Sequence, residues 1–498
     1  MSERFDLVVI GGGAAGLVVA VGAVQFGARV ALVEKEEGRL GGDCLYSGCV
    51  PTKTLVHSAR VLSLIRRAEE FGLGAAPLPD DLFEGVMARM RRMIARVGEH
   101  DDPERFSQMG IRLFYGEGRF IDQHTLEVGN ARIEGRRFVL ATGSRPAVPP
   151  IPGLQEVGYL TNVTALDLKQ RPGTMAIIGG GPVGVEFAQV FRRLGVRVTL
   201  VEKADRLLPL EDREISETLA VIFKKEGIDL FTGASVQGIE REKGKAEESK
   251  AEGSTVVTHR VITHKKVLSI ETGGERSRLV VDEILVAAGR APNVEGLNLE
   301  AAGVSYDPGG VQVDATLRTT ARSIWACGDL AGPYRFTHMA EYQAGIVVAN
   351  ALFPFVRRKV DYRVVPSVTF TDPEAARVGL TEAEARVRFG PIHVYHFPFK
   401  QVDRAIIEGE EEGFIKLIAD RRLRIVGAHL IGPHAGDLLH EYVLAMKARL
   451  KITALSTTIH AYPTFSQGVK KTADQYYREK LFSGWFPKLA RRLIRWRR

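Results

Sequence analysis

The chain is poor in cysteine, in aromatic residues and in long apolar runs, and each shortage removes a class of protein. Three cysteines in 498 residues cannot staple a secreted scaffold, yet they leave room for a thiol pair in a reducing compartment. Aromatic residues make up 8% of the chain, while 45% is hydrophobic and 26% charged. That balance belongs to a soluble enzyme and excludes a fibrous or disordered chain. Only residues 7–24 are apolar enough to suggest a membrane span. Glycines at 11, 12, 13, 16 and 22 make that stretch a buried strand, a tight turn and a helix instead. No signal peptide is read at the start, so a cytoplasmic location is expected. The length calls for three or four domains. The net charge of +8 is gathered largely near the C-terminus, and no nucleic-acid partner is expected.

Two of the three cysteines stand close together, in Gly41-Gly42-Asp43-Cys44-Leu45-Tyr46-Ser47-Gly48-Cys49-Val50-Pro51-Thr52-Lys53. A helix is expected to follow Pro51, which puts Cys49 near its N-terminus. The helix dipole and free N–H groups there favour a thiolate, and Lys53 adds positive charge one turn on. Such a pair can cycle between disulfide and dithiol. By itself a C-x4-C spacing equally fits two buried thiols in a tight turn. The upstream sequence tips the reading towards redox chemistry.

Residues 5–10 read as a buried parallel strand, followed by Gly11-Gly12-Gly13-Ala14-Ala15-Gly16, a helix to about residue 26 and a strand at 29–33 ending on Glu34. This is G-x-G-x-x-G between strand and helix, with Gly11, Gly13 and Gly16 in place and an acid 18 residues past Gly16. It suits a pyrophosphate at the helix N-terminus and a ribose on the carboxylate. The pattern repeats at Gly179, Gly181 and Gly184, with Glu202 again 18 residues on. The turn Ala141-Thr142-Gly143-Ser144-Arg145-Pro146 is echoed by Ala287-Ala288-Gly289-Arg290-Ala291-Pro292. Two such folds imply two dinucleotides, a flavin and a nicotinamide. Glu202 disfavours a 2′-phosphate and points to NADH. Lys203 and Arg206 beside it leave NADPH open.

Strands are expected at 111–120, 125–133, 138–142 and 323–326, and helices at 52–69 and 81–99. A proline-rich linker is expected after Pro146. Residues 241–266, charged and low in apolar content, read as a surface hairpin. Cys327-Gly328-Asp329 sits at a strand end where an aspartate can meet a flavin's ribityl chain, and Cys327 itself reads as a core residue. Beyond Asp361 no glycine fingerprint recurs. Paired strands are expected at 413–419 and 424–431, and helices at 434–448 and from Gln467 to about 481.

Taken together, the two G-x-G-x-x-G units, C-x4-C with Pro and Lys, A-T-G, A-C-G-D and Tyr462-Pro463-Thr464 resemble the flavoprotein disulfide reductases. That group, the class I pyridine nucleotide-disulfide oxidoreductases, holds dihydrolipoamide dehydrogenase, glutathione reductase and mercuric reductase. The resemblance spans residues 4 to about 480. It implies an α/β homodimer with two Rossmann-type domains and a C-terminal α+β dimerisation domain. The FAD domain would comprise residues 1–150 and 284–355, the NAD(P)H domain 151–283, the dimerisation domain 356–480 and a basic tail 481–498. Electrons would pass from NAD(P)H through FAD to a Cys44–Cys49 disulfide. By the same likeness Cys49 faces the flavin, Cys44 meets the acceptor, and Lys53 pairs with Glu186. Asp329, Thr337 and His338 would line the flavin. Further cofactor contacts are implied at Lys35, Gly42, Asp43, Gly118, Thr142, Gly143, Ser144, Val236, Gly289 and Arg290.

The departures narrow the acceptor. Disulfide-using members carry H-x-H-P-T…E near the C-terminus, the second His acting as acid/base and the Glu orienting it. Here those positions are Tyr462 and Gln467, and His460 matches only the first His. A phenol with a reference pKa near 10 is ionised on the order of 0.1% at pH 7. Losing a general acid/base typically costs ~10²–10⁴ in rate. Tyrosine here is similar to the mercuric reductase branch, and soft thiolates suit Hg(II). Cys44 and Cys49 would then be its transient ligands, and no structural metal is expected. That branch also carries a C-terminal Cys-Cys pair, yet nothing after Cys327 is cysteine here. Asp43 and Tyr46 replace the usual Thr and Asn.

The tail departs too. Phe482, Trp485, Leu489, Leu493 and Trp496 fall at roughly helical spacing among Lys488, Arg491, Arg492, Arg495, Arg497 and Arg498, with no acid. A basic amphipathic helix of this kind fits an anionic membrane surface or an acidic partner. A solvated or interface-packed tail is the plainer alternative. Three functions are therefore expected in turn: reduction of Hg(II), another soft metal or a small acceptor; a dihydrolipoamide dehydrogenase-like dithiol exchange; or a membrane-surface redox sensor or electron-input subunit.

Overall fold

The computed structural model describes residues 3–75, 77–242, 265–482 and 486–496. The first sheet forms because Leu7–Ile10, Val30–Glu34 and Phe138–Leu140 are short runs of branched and apolar residues, almost all with no exposed surface. Strands buried on both faces pair in parallel. Their order is Ile324–Ala326, Phe138–Leu140, Leu7–Ile10, Val30–Glu34, Ile111–Tyr115, every pair parallel. The helix Ala14–Gln25 packs back onto this sheet. A Cβ on Gly16 would come within 1.8 Å of the Gly11 carbonyl oxygen, so only glycine lets helix and strand approach this closely.

The second parallel sheet runs Asp229–Thr232, Arg197–Glu202, Thr174–Ile178, Glu283–Val286, with the helix Pro182–Arg193 against it. A Cβ on Gly184 would meet the Gly179 carbonyl at 1.9 Å, the same device as at Gly16. A three-stranded antiparallel meander of Ala234–Arg241, Lys266–Thr272 and Glu275–Val281 adjoins it. The C-terminal unit is a five-stranded antiparallel sheet, in the order Pro366–Thr369, Glu374–Gly379, Ile425–Gly432, Phe414–Ala419, His393–Pro398. Helices Ala435–Lys447 and Gln467–Phe482 supply Leu439, Tyr442, Val469 and Ala473 to its core.

The units are joined at named places. Ser144–Pro146, where the chain leaves the first unit, pairs antiparallel with Arg290–Pro292, where it returns. Lys416, with 2% of its side chain exposed, lies within 2.9 Å of Asp212, 2.6 Å of Glu214 and 2.8 Å of Glu382, locking the second unit to the C-terminal sheet. Arg193 makes a similar tie to Asp372 at 2.6 Å. Removing either partner would strand a buried charge, which typically costs ~3–5 kcal/mol.

Several expected elements are corrected. The strand expected at 5–10 divides at Asp6, whose carboxylate accepts the Arg29 N–H at 3.0 Å; Glu3–Phe5 joins a separate sheet. The strand expected at 111–120 breaks at Gly116 (φ +135°), and that at 125–133 turns at Gly129. The boundary expected between 283 and 284 cuts the strand Glu283–Val286, which pairs with Thr174–Ile178 and so belongs to the second sheet. Most of the hairpin expected at 241–266 lies outside the described residues, but its ends meet, Arg241 opposite Lys266. In the tail, where a basic amphipathic helix is expected, Phe486–Trp496 is helical. Trp485, Arg497 and Arg498 lie outside the described residues. Among the described residues no helix is long and apolar enough to cross a membrane.

Candidate active site

The cysteine stretch folds as a short helix, Gly42–Tyr46, a turn, and the long helix Cys49–Arg66. The turn is tight enough that a Cβ on Gly48 would sit 2.8 Å from the Asp43 carbonyl oxygen. Cys49 is the first residue of the long helix, as its spacing before Pro51 predicts. The Thr52 hydroxyl donates to the Gly48 carbonyl at 2.8 Å and braces this first turn. Neither cysteine is joined in a disulfide in this structure.

The two sulfurs are electrostatically unlike. The Cys49 thiol is pulled down to about 6, first by its hydrogen bond with Cys44, then against the opposing effect of burial by Thr337 and the Lys53 ammonium. The Thr337 hydroxyl lies 3.3 Å from Cys49 Sγ. Cys44 moves the other way, raised well above the usual thiol range by its bond to Cys49, by burial and by the neighbouring negative charge. The opposite shifts favour the proton on Cys44 and the negative charge on Cys49, beside Lys53.

Lys53, one turn beyond Cys49, donates to both Glu186 oxygens, at 2.8 and 3.1 Å. Glu186 comes from the second unit and is only 5% exposed. Its Oε1 also accepts the Phe370 N–H at 2.9 Å, and Lys53 Nζ stands 4.7 Å above the Phe370 ring. Three units thus meet one turn from the thiolate. Nothing in the sequence around Phe370 signals this contact, nor the Thr337–Cys49 approach, because both depend on distant chain segments.

Asp43 is bound into a second network. Its carboxylate takes Arg290 Nη2 at 2.8 Å and the Ser47 hydroxyl. Arg290 Nε donates to Ser144 Oγ at 2.7 Å, and that hydroxyl donates to Asp329 at 2.6 Å. Arg335, not singled out in the sequence, donates to the Arg290 carbonyl. Thr142 and Asn293 exchange side-chain and backbone hydrogen bonds, closing the A-T-G turn on the returning strand. Asp43, Ser144, Arg290 and Asp329 are therefore gathered together. His338 lies one residue past Thr337, its Nε2 3.0 Å from the Pro366 carbonyl, and burial lowers its pKa.

The dinucleotide motifs fit their groups. Gly13 and Gly181 occupy the N-cap positions of their helices, with no side-chain cap. A Cβ on Gly13 would find its nearest neighbour at 3.9 Å, and one on Gly181 nothing within 4 Å, so both helix ends face open space. Glu34 accepts the Gly12 N–H at 2.7 Å; Glu202 accepts N–H groups from Gly180 and Ala204. Gly42 (φ +60°) lies against Gly13. Arg206 is engaged by Asp205 at 3.2 Å and the Pro209 carbonyl at 2.8 Å. Lys35 is held at the surface by Glu117, 2.9 Å away, next to buried Gly118. Val236 packs on the meander core, and Gly289 (φ +125°) sits at the returning turn.

Tyr462 is exposed, and the neighbouring Asp403 carboxylate raises its pKa. His460, 5% exposed at its side chain, is bound to Glu441 at 2.9 Å and to the Thr458 carbonyl at 3.0 Å. Asp403 and Glu441 were not foreseen, and only the fold brings them near.

Comparison with known proteins agrees with this arrangement. The pyridine nucleotide-disulphide oxidoreductase family profile matches residues 5–344, and the profile of that family's dimerisation domain matches residues 365–473. The chain is 35% identical over 471 residues to a mercuric reductase of Staphylococcus aureus, covering 94% of this chain and 82% of that one. It is 36% identical over 495 residues to a dihydrolipoyl dehydrogenase of Thermus scotoductus, covering 96% and 99%. Its fold matches the Cu(II) complex of the HOCl-induced flavoprotein disulfide reductase RclA from Escherichia coli, with a TM-score of 0.81, 31% identity, and coverage of 95% and 99%.

Proposed function

Since the chain belongs to the pyridine nucleotide-disulphide oxidoreductase family, whose members depend on FAD and use pyridine nucleotides, we propose that it passes electrons from NADH through Cys44 and Cys49 to a soft metal ion such as Hg(II), or to another small electrophilic acceptor. The observation that carries this reading is Tyr462. It stands with Gln467 where a proton-shuttling His and its Glu would serve a disulfide, and the Asp403 carboxylate moves the phenol's pKa further up, away from the range in which it could shuttle a proton at pH 7.

FAD, when bound, supplies two-electron transfer between the nicotinamide and the sulfur pair. The open helix end at Gly13 would hold its pyrophosphate, Glu34 its ribose, and Asp329, Thr337 and His338 its flavin side. Glu202, with Arg206 already engaged, favours NADH over NADPH. Cys49 rests as a thiolate steadied by Lys53, which Glu186 holds in place. Cys44 is the sulfur that meets the acceptor. A soft ion needs two thiolate ligands; it takes two electrons and leaves as the reduced metal, while the pair gives up its electrons and the Cys44 proton. Metal coordination itself deprotonates Cys44 and releases that proton to solvent, and no leaving thiolate has to be reprotonated, so no His-like shuttle is required. In the homodimer supported by the dimerisation domain, the partner subunit's Tyr462 would shape this opening. The expected location is cytoplasmic, with the basic tail making peripheral contact with an acidic surface.

One observation favours a second reading, a dihydrolipoamide dehydrogenase-like exchange: the dihydrolipoyl dehydrogenase relatives align along nearly their whole length. Anaerobic stopped-flow separates the two. The FAD-loaded enzyme is reduced with NADH and mixed with Hg(II), Cu(II), lipoamide or glutathione disulfide. Rapid reoxidation by metal and slow reoxidation by disulfides is expected. Fast reoxidation by a disulfide would overturn the metal reading.

A further inference from the structure

Phe486–Trp496 is helical and lies beyond Gln467–Phe482, the last helix of the C-terminal unit. At about 100° per residue, Leu489, Ala490, Leu493, Ile494 and Trp496 fall on one half of its circumference, and Lys488, Arg491, Arg492 and Arg495 on the other. Both halves face solvent. Leu493, Ile494 and Trp496 are 54%, 60% and 85% exposed, and all four basic residues are exposed. None of those four cations has an ion-pair partner among the described residues, and the helix contains no acid.

A helix that turns large apolar side chains to water without covering them wants an apolar phase on that side. A helix carrying four unpaired cations wants anions beside it. One environment supplies both, hydrocarbon just beneath a layer of negative headgroups. At 1.5 Å per residue the helix is about 16 Å long, roughly half of the ~30 Å hydrocarbon thickness, so it can lie in the interface but not cross. A soluble acidic partner would satisfy the cations and leave Leu493, Ile494 and Trp496 unused.

We propose that Phe486–Trp496 is an interfacial anchor that lies on an anionic lipid surface with Leu489, Leu493, Ile494 and Trp496 inserted. This rests on the peripheral-contact reading above and names its partner. A single short helix with four cations binds weakly; a dimer presents two, and the second engages at high effective concentration. Attachment is therefore expected to be cooperative with dimerisation and reversible by salt.

The test is co-sedimentation of the FAD-loaded enzyme with vesicles of phosphatidylcholine containing phosphatidylglycerol, against phosphatidylcholine alone. Tighter binding to the anionic vesicles, by at least about tenfold, is expected, since each cation near such a surface contributes roughly fivefold. Chain 1–482 and the double variant Leu489→Asp/Leu493→Asp should stay in the supernatant, while their reduction by NADH in solution matches the parent. Arg491→Glu/Arg495→Glu should lose most binding. If the parent ignores anionic vesicles at low salt, the anchor and the peripheral-contact reading both fall. If the Leu489→Asp/Leu493→Asp variant binds as the parent does, insertion is wrong and an electrostatic contact alone survives.

Discussion

The thiol loop and the Tyr462 element are built in opposite ways. Around Cys44 and Cys49 the charged groups named above are paired, Lys53 with Glu186 and both Asp43 and Asp329 with Arg290, with contributions from three units. Tyr462 is exposed in the single chain, with Asp403 beside it raising its pKa. The thiol loop is therefore preorganised within one chain, whereas Tyr462 lies in the unit that matches the family's dimerisation domain, so a second copy completes its surroundings. On the proposed reading, a side without a proton-shuttling His suits a small ligand that binds sulfur directly better than a disulfide whose leaving thiolate must be protonated.

Cys49→Ser and Cys44→Ser should each reduce acceptor turnover to background while leaving NADH oxidation by a flavin-directed dye intact; loss of both activities together would mean the loop serves only the fold. The next largest effect should come from the Tyr462 side. Tyr462→His/Gln467→Glu restores the residue types of a proton shuttle, and turnover with lipoamide or glutathione disulfide should rise by about 10², with Hg(II) reduction changed little. No gain would show that the opening itself excludes disulfides.

A smaller effect isolates the charge at the thiolate. Lys53→Met removes the cation that helps hold Cys49 down, so alkylation of the reduced enzyme by iodoacetamide at pH 7 should slow several-fold. In the unmodified protein that alkylation should fall off as pH drops through about 6. The same ionisation links to stability. Cys49's pKa is depressed in the folded reduced state, so its contribution is present above the unfolded thiol value of ~8.5. It is lost as pH falls through about 6, and urea unfolding of the reduced protein across that window checks the sign. The smallest change is expected from Asp403→Asn, which frees the phenol and should lower the Tyr462 pKa, read by ultraviolet titration against Tyr462→Phe.

Much of this was legible in the sequence because it is local. Gly11, Gly13 and Gly16 act within one strand–turn–helix, and Cys49 reaches its helix start through the six residues around it. The Lys53–Glu186 pair was legible only through family likeness, since 133 residues separate its members. Thr337 beside Cys49, Phe370 beneath Lys53 and Asp403 beside Tyr462 were not legible. Each contact joins segments with no shared periodicity, and the backbone alone decides that they meet. The misplaced boundary at 283 has a similar cause. Residues 283–286 read equally well as the end of one unit or the start of the next, and only pairing with Thr174–Ile178 decides.

The antiparallel pairing of Ser144–Pro146 with Arg290–Pro292 has a consequence for how such a chain can be assembled. The second unit leaves and rejoins its host at two points lying side by side, like a bead hung on a two-stranded stem. Domains whose ends adjoin can be inserted, removed or exchanged without rethreading the host. Grafting a related nicotinamide unit between Pro146 and Arg290 should therefore change the electron donor while the thiol loop keeps its form, provided the graft retains an acid at the place of Glu186.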